Sequence, residues 1–469
     1  MRRLILAAPL ALALAGCMAQ PAPKIATPTP ELPQAFFYRP EASTGAALAA
    51  LLPQSDPAWQ KLSAAALAGA PDLAEAAARI ESARANARSA GAARLPNITA
   101  DGNAKRNRIN TAQFGQAGQQ GFIPAEQTSY GANITASWDP DIFGRLKAQE
   151  RAARARLDAA TAEAQSVRLA LLAEIAGSIT DWRTLDARAA AISSDAAAAR
   201  QLASLAKVRE DAGIAPGFDR VRAEATASAS ATRLAALESE RASLIGRLVT
   251  LTAQDAATVR AALSAPAPEL ALPPAPAGLP SELLANRPDV TAAAANLAAS
   301  DADLAAAARA RFPKITLSGV IGLLAFDPSD FFDGDSLVGT LTAAVAGPLL
   351  DFGRVGAQID AAAADKRAAF ASYRGAVFTA LGDAEAAYGT VSAADAEAAL
   401  AVKQRDQLNR AAAIAETRYR AGLGSFLDVL EARRAADSSG ENAAAALGRA
   451  VRARIVLWQA LGGEAAGTR

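Results

Sequence analysis

Histidine is missing from all 469 residues, which removes the commonest general base and the commonest transition-metal ligand. The single cysteine, Cys17, allows neither an intrachain disulfide nor a cysteine cage for a metal. Catalysis would have to run on carboxylates, lysine or serine. Neither sign of charge dominates: 48 basic residues against 47 acidic leave a net charge of +1, which argues against a nucleic-acid partner. Long hydrophobic runs are also lacking. The run from Leu4 to Ala15 is too short to cross a bilayer as a helix, and no other segment makes a convincing transmembrane helix. No catalytic, cofactor or metal site is expected.

The N-terminus has its own logic. Arg2 and Arg3 precede the apolar run, and small residues follow it, as in a secretory signal. "LAGC", Leu14 to Cys17, resembles the bacterial lipoprotein signal, in which the cysteine thiol is acylated and becomes the first mature residue. The alternative is a signal peptide with an incidental cysteine. The resemblance extends to Met18, where retention in the inner membrane usually requires aspartate, so it favours the outer membrane. A lipidated end anchors a chain to a membrane without spanning it.

The body of the chain is a tandem repeat. "PDLAEAAARIESARANARSAGAARLPNIT", from Pro71, matches "PDVTAAAANLAASDADLAAAARARFPKIT", from Pro288. Pro71 and Pro288, like Pro96 and Pro313, are 217 residues apart; Arg145 and Arg354, like Gly213 and Gly422, are 209 apart. The first copy therefore carries eight extra residues between Pro96 and Gly144. The expected division is a signal peptide 1–16, a lipidated extended segment 17–60, a first repeat 61–252, a proline-rich linker 253–287, a second repeat 288–463 and a tail 464–469. Each Pro-Asp start suits a helix N-terminus, where proline loses no hydrogen bond and an acid meets the positive end of the dipole.

Within each repeat the periodicity switches. Ile98, Ala100, Gly102 and Ala104 alternate with Asn97, Thr99, Asp101 and Asn103. Tyr130, Ala132, Ile134, Ala136 and Trp138 likewise oppose Asn133, Thr135, Ser137 and Asp139. A period of two with one apolar and one polar face indicates strands, at a length suited to tilted strands crossing a bilayer. "KITLSGVIGLLAF" and "VGTLTAAVAGPLLDF" supply two more, giving hairpins at about 97–143 and about 314–352. Two soluble β-hairpins are the alternative.

Proline is then absent from the stretch between Pro140 and Pro216, and again after Pro348. Helices are expected over 145–212 and 354–421, each about 100 Å long at 1.5 Å per residue, with return helices over 216–252 and 425–462. Helices of that length exceed what a globular core covers and point to a coiled-coil wall. Gly213, Gly422 and Gly424 interrupt the helical runs, and glycine supplies the left-handed conformation a helix-ending turn needs.

Four strands are too few to close a membrane barrel, because the smallest bacterial barrels have eight, and open edges are not tolerated in lipid. Membrane-embedded strands would require oligomerisation. The tandem repeat, "LAGC", the two "FGR" junctions, the linker ending "GLPSELLANRPDV" and the stretch "AGLGSFLDVLEAR" together resemble the outer-membrane channel family of tripartite efflux pumps and type I secretion systems. This is the TolC/OprM kind, in the lipoprotein branch that includes the NodT proteins. The resemblance implies an α+β membrane protein: a homotrimer whose chains give four strands each to a twelve-stranded outer-membrane barrel, continued by a periplasmic α-helical barrel. It also implies a passive conduit with an iris-like periplasmic gate. Its partners would be outer-membrane lipid, a periplasmic adaptor protein at the Gly213 and Gly422 turns, and an inner-membrane pump of the RND type.

The same resemblance assigns gate residues. Asp428 and Glu431, one turn apart and so on one helix face, match the acidic pair that rings the aperture. In a trimer they would form two rings of three carboxylates, a cation-favouring filter. Tyr419 matches a tyrosine that helps lock the closed tip, and Asp219 its counterpart in the first repeat. The lock's arginine is missing, since Gly424 stands there; either Arg418 or Arg420 substitutes, or the tip is held differently. Without the resemblance, Asp428 and Glu431 read as solvated helix charges.

Other classes fit less well. A type I secretion channel shares the architecture. A periplasmic adaptor lipoprotein would carry one helical hairpin, not a duplication with four strands. A structural coiled coil leaves the strands unexplained. For an enzyme, "SLAK" (Ser204 to Lys207) has the serine–lysine spacing of penicillin-binding enzymes but lies mid-helix, with no S-D-N or K-T-G after it.

Overall fold

The computed structural model describes residues 23–40, 47–110, 125–214, 216–268, 272–278, 280–281 and 286–463. The expected signal peptide, Cys17 and the 464–469 tail lie outside the described residues. In chain order the main elements are α1 (Pro57–Gly69), α2 (Pro71–Ala92), β1 (Asn97–Arg108), β2 (Glu126–Trp138), α3 (Arg145–Asp211), α4 (Gly217–Thr252) and α5 (Ala256–Leu263), then α6 (Pro288–Arg309), β3 (Lys314–Ala325), β4 (Leu337–Ala346), α7 (Arg354–Arg420) and α8 (Phe426–Ala460). The chain forms two compact units. One holds residues up to Pro28 with 81–159 and 294–372; the other holds 29–80, 160–293 and 373–469.

The first unit contains a four-stranded antiparallel sheet in the order β1-β2-β3-β4, so the two hairpins join through β2 and β3. Its register carries the sequence alternation across all four strands. Ile98, Ala136, Gly319 and Leu341 lie in one row, and Ala100, Ile134, Ile321 and Gly339 in the next. In the first row the large side chains are flanked by glycine or alanine, and in the second Ile134 and Ile321 stand side by side between Ala100 and Gly339. Ile98, Ile134, Ile321, Leu337, Leu341 and Val345 on it are all exposed. The opposite face carries Thr99, Thr135 and Thr340 in register, and Asn133 Nδ2 donates to Asp101 Oδ2 at 3.3 Å. Tyr130 and Trp138 stand on the apolar face eight residues apart. At about 3.3 Å per residue that is about 26 Å along the strand, or about 20 Å across a membrane at the tilt of about 40° usual for barrel strands, somewhat less than the height of the apolar band. The outer strands β1 and β4 each pair on one side only and are exposed throughout.

At both strand-to-helix junctions an aspartate caps the long helix, in different registers. Asp141 accepts from Leu146 N at 2.8 Å and Lys147 N at 2.7 Å; Asp351 accepts from Val355 N at 2.9 Å and Gly353 N at 3.1 Å. The left-handed non-glycine residue is the cap itself, Asp141 (φ 53°), in one copy and Phe352 (φ 51°), the residue after the cap, in the other.

The second unit has the larger core. Trp59 and Leu62 of α1, Ile175 and Ile179 of α3, Leu248 of α4, Val377 of α7 and Leu457 and Trp458 of α8 are buried together. Inside it, Arg183 donates to both carboxylate oxygens of Asp56, from Nε at 2.8 Å and Nη2 at 3.0 Å, and from Nη1 to Leu263 O at 2.8 Å. Asp56 also caps α1, accepting from Ala58 N at 2.8 Å.

Two segments expected to be extended carry helix. Helix α1 begins at Pro57, inside the 17–60 segment, because Asp56 and Pro57 form an N-cap and first turn and Trp59 and Leu62 find core. The proline-rich linker includes α5, whose Val259 and Leu263 are fully buried and whose N-cap is Asp255. Past α5 the linker is pinned: Arg454 donates to Pro273 O at 2.7 Å, and the Tyr388 hydroxyl accepts from Gly278 N and donates to Pro276 O.

Candidate gate at the hairpin tips

The helix pairs α3–α4 and α7–α8 turn by the same device. Gly213 and Gly422 both have φ of 73°. Around them Ile214 N donates to Arg209 O at 2.9 Å, and Leu423 N to Arg418 O at 2.8 Å. This is the paired bonding of a left-handed helix stop, which satisfies carbonyls left over at the helix end. Gly424 differs. Its φ is outside the left-handed region, and an added Cβ would meet only the Arg418 Cβ at 3.5 Å and neighbouring Arg418 and Tyr419 backbone atoms at ordinary contact.

The second tip is then closed by a capping box: Asp428 N donates to Ser425 Oγ and Ser425 N to Asp428 Oδ2, both at 3.1 Å. These bonds, with Arg418 nearby, hold the Asp428 carboxyl below the usual aspartate range. The first tip has Pro216 at that position and no side-chain cap. Asp428 and Glu431 are both exposed on α8, while Phe426, Val429 and Leu430 on the other side of the helix are buried. Asp219, in the first turn of α4, is half-buried, and its carboxylate has no hydrogen-bond partner among the described residues.

Tyr419 is buried in a small cluster of Leu202, Ala206, Ala223, Phe426, Val429 and Leu430, drawn from α3, α4, α7 and α8. Its ring meets Phe426 edge-on at 5.7 Å, and its hydroxyl finds no partner. Three arginines lie near this cluster. Arg418 reaches Leu423 O at 3.4 Å, Arg420 pairs with Glu416, and Arg209 of α3 lies over the Tyr419 ring with its guanidinium carbon 4.4 Å from the centroid. Arg209 corresponds to Arg418 in the repeat, so the repeat register was the available signal. Exposed apolar residues flank both turns: Ile214, Phe218 and Val221 at the first, Leu423 and Leu427 at the second.

Four strands feeding two long helical hairpins per chain are the architecture of a channel-forming envelope protein. The family model of outer membrane efflux proteins matches residues 62–254 and 279–463, and the chain belongs to that family. Over 97% of its length it is 29% identical to the pyoverdine export outer membrane protein OpmQ of Pseudomonas putida, of which it covers 96%. It is 27% identical to nodulation protein T of Rhizobium leguminosarum bv. viciae, covering 97% of this chain and 92% of that one. Among solved structures, the outer-membrane channel OprN superposes with a TM-score of 0.84 at 27% identity, over 95% of this chain and 99% of OprN. The chain thus has the TolC-like channel fold and is an outer-membrane efflux protein of a non-enzymatic family.

Proposed function

We propose that three copies close the open sheet edges into a twelve-stranded barrel, β4 of one chain beside β1 of the next. The trimer forms a passive conduit from periplasm to exterior for an inner-membrane pump of the RND type. The observation that carries this reading is the four-stranded sheet with one continuous apolar face, an aromatic residue at each end of that face, and unpaired outer strands. Such a sheet is stable in lipid only when its edges are closed.

The tips form the periplasmic gate. Asp428 and Glu431 supply two rings of carboxylates, Tyr419 holds the closed form, and Asp219 serves the first hairpin. The exposed apolar residues beside Gly213 and Gly422 dock a periplasmic adaptor protein, and Cys17 carries the lipid that fixes the chain to the outer membrane. Export of a small, chemically varied cargo fits the alanine-rich helices and the names of the relatives.

The test is the mass of full-length protein extracted from the outer membrane in detergent, followed by conductance in planar bilayers. A lipidated species of three chain masses that conducts cations in preference to anions is expected. A monomer, or a trimer that does not conduct, overturns the conduit.

A further inference from the structure

Two aspartates face each other where α3 meets α8. Asp195, on the long helix of the first repeat, and Asp437, on the return helix of the second, lie within hydrogen-bonding reach of one another. Asp437 is 95% buried at a relative exposure of 5%, and Asp195 is half-buried. Asp195 Oδ2 and Asp437 Oδ1 are closed to solvent and have no donor. Two ionised carboxylates are acceptors only and repel each other, so both buried oxygens would stay unsatisfied. One proton placed between them removes the repulsion and satisfies both. The neighbouring cations leave the pair unbridged, although the buried Nε of Arg433, one turn before Asp437 on α8, is a donor without a partner among the described residues. Arg233 of α4 is held by Glu441 at 3.3 Å and Ser230 at 3.2 Å, and Glu441 also binds Arg188 of α3 at 2.7 Å. Arg433 of α8 reaches Glu416 of α7 at 3.4 Å. Both arginines favour ionisation from a distance, yet among the described residues neither forms an ion pair with the aspartates.

We propose that Asp195 and Asp437 form a proton-binding site that latches α3 to α8, one shared proton tying the first hairpin to the second in acid and its loss loosening the contact. Burial and the facing carboxyl push Asp195 up to about 7, and burial pushes Asp437 up as well. The native pair binds more protons than the unfolded chain between about pH 4 and about pH 7, so the contact weakens as pH rises through that window. The site lies nine residues beyond Asp428 on α8, on the far side of the Tyr419 cluster from the tip. An acidic periplasm would therefore hold the hairpins together; this consequence for conduction rests on the proposed conduit.

The experiment is an infrared titration of the full-length protein in detergent from about pH 5.5 upward, where ordinary carboxyls are already ionised, reading the protonated-carboxyl band, with thermal unfolding over the same range. The wild type should show a band that disappears with a midpoint at about 7, and its Tm should fall across that range. Asp195→Asn with Asp437→Asn should lack the band. Asp437→Asn alone, which gives Asp195 an amide donor at every pH, should flatten the Tm profile. A band that is absent in acid, a band that persists in the double variant, or equal Tm slopes in wild type and Asp437→Asn would each overturn the proton site. In planar bilayers, wild-type conductance should rise severalfold from acid to mild alkali while Asp437→Asn stays at the acid value. An infrared titration as expected with pH-independent conductance would keep the proton site and overturn its link to the passage.

Discussion

Arg209 and Tyr419 belong to different repeats, yet the guanidinium of one lies 4.4 Å from the ring centroid of the other. The contact joins the end of α3 to the end of α7. A cation over an aromatic face contributes about 0.5–1 kcal/mol at such a site, a small bias on how the two helix ends pack.

The ring, not the hydroxyl, should carry this contact. Tyr419→Phe is expected to change stability by less than about 0.5 kcal/mol, because the hydroxyl has no partner to lose. Tyr419→Ala should cost about 3–5 kcal/mol as a large side chain leaves a packed cluster. Arg209→Ala should lower Tm slightly and raise conductance. Thermal unfolding beside planar-bilayer recordings separates the three; a Tyr419→Phe loss as large as that of Tyr419→Ala would contradict the assignment.

The capping box sets the charge of the proposed acidic ring. Asp428 is held below the ordinary aspartate range by the Ser425 amide and hydroxyl, so it stays ionised at a lower pH than a free aspartate would. Its stabilising contribution is present at neutral pH and lost as pH falls through the depressed value. Ser425→Ala should cost about 1 kcal/mol of helix stability and shift the loss of cation preference to higher pH. Reversal potentials in a salt gradient, measured down a pH series, read this directly.

The three tip glycines should not behave alike. Gly213→Ala and Gly422→Ala force a side chain into the left-handed region at φ 73°, at a cost of about 1–2 kcal/mol each. Gly424→Ala meets no such strain and should stay within about 0.5 kcal/mol of wild type. Thermal unfolding of the three variants decides this.

In the second unit, Asp56 and Arg183 form a buried two-bond pair that also caps α1. Arg183→Ala should cost about 3–5 kcal/mol, since it strands a buried carboxylate. Asp56→Ser with Arg183→Met should recover much of that loss, because serine keeps the cap and methionine fills the space. A double variant worse than Arg183→Ala alone would argue against this account.

The sheet offers a test of which face meets lipid. Leu341→Arg places a charge in the apolar face and should cost about 2–4 kcal/mol near the bilayer midplane. Thr340→Arg, one residue away on the opposite face, should fold and alter conductance instead. Heat-resistant oligomer on a gel and single-channel current distinguish the two.

What the chain alone determined is local or periodic. Alternation such as Ile98-Thr99-Ala100-Asp101 makes strands, because successive side chains on an extended backbone point to opposite faces. Proline-free, alanine-rich stretches make long helices. Duplication appears in the fixed offsets of Pro71 with Pro288 and Gly213 with Gly422. The channel fold and the family came instead from a resemblance, carried by the duplication together with "LAGC", the "FGR" junctions, the linker phrase and "AGLGSFLDVLEAR".

What only the tertiary structure decided involves partners far apart in sequence. Helix α5 reads as linker because eight residues beside a run of prolines are too few to show a helical period, and only the core that buries Val259 and Leu263 holds it in place. Arg209 over Tyr419 and Asp195 against Asp437 each join residues from different repeats. No spacing within one helix encodes which neighbour its face will meet. That pairing follows from how the two hairpins pack, and packing is a property of the folded chain.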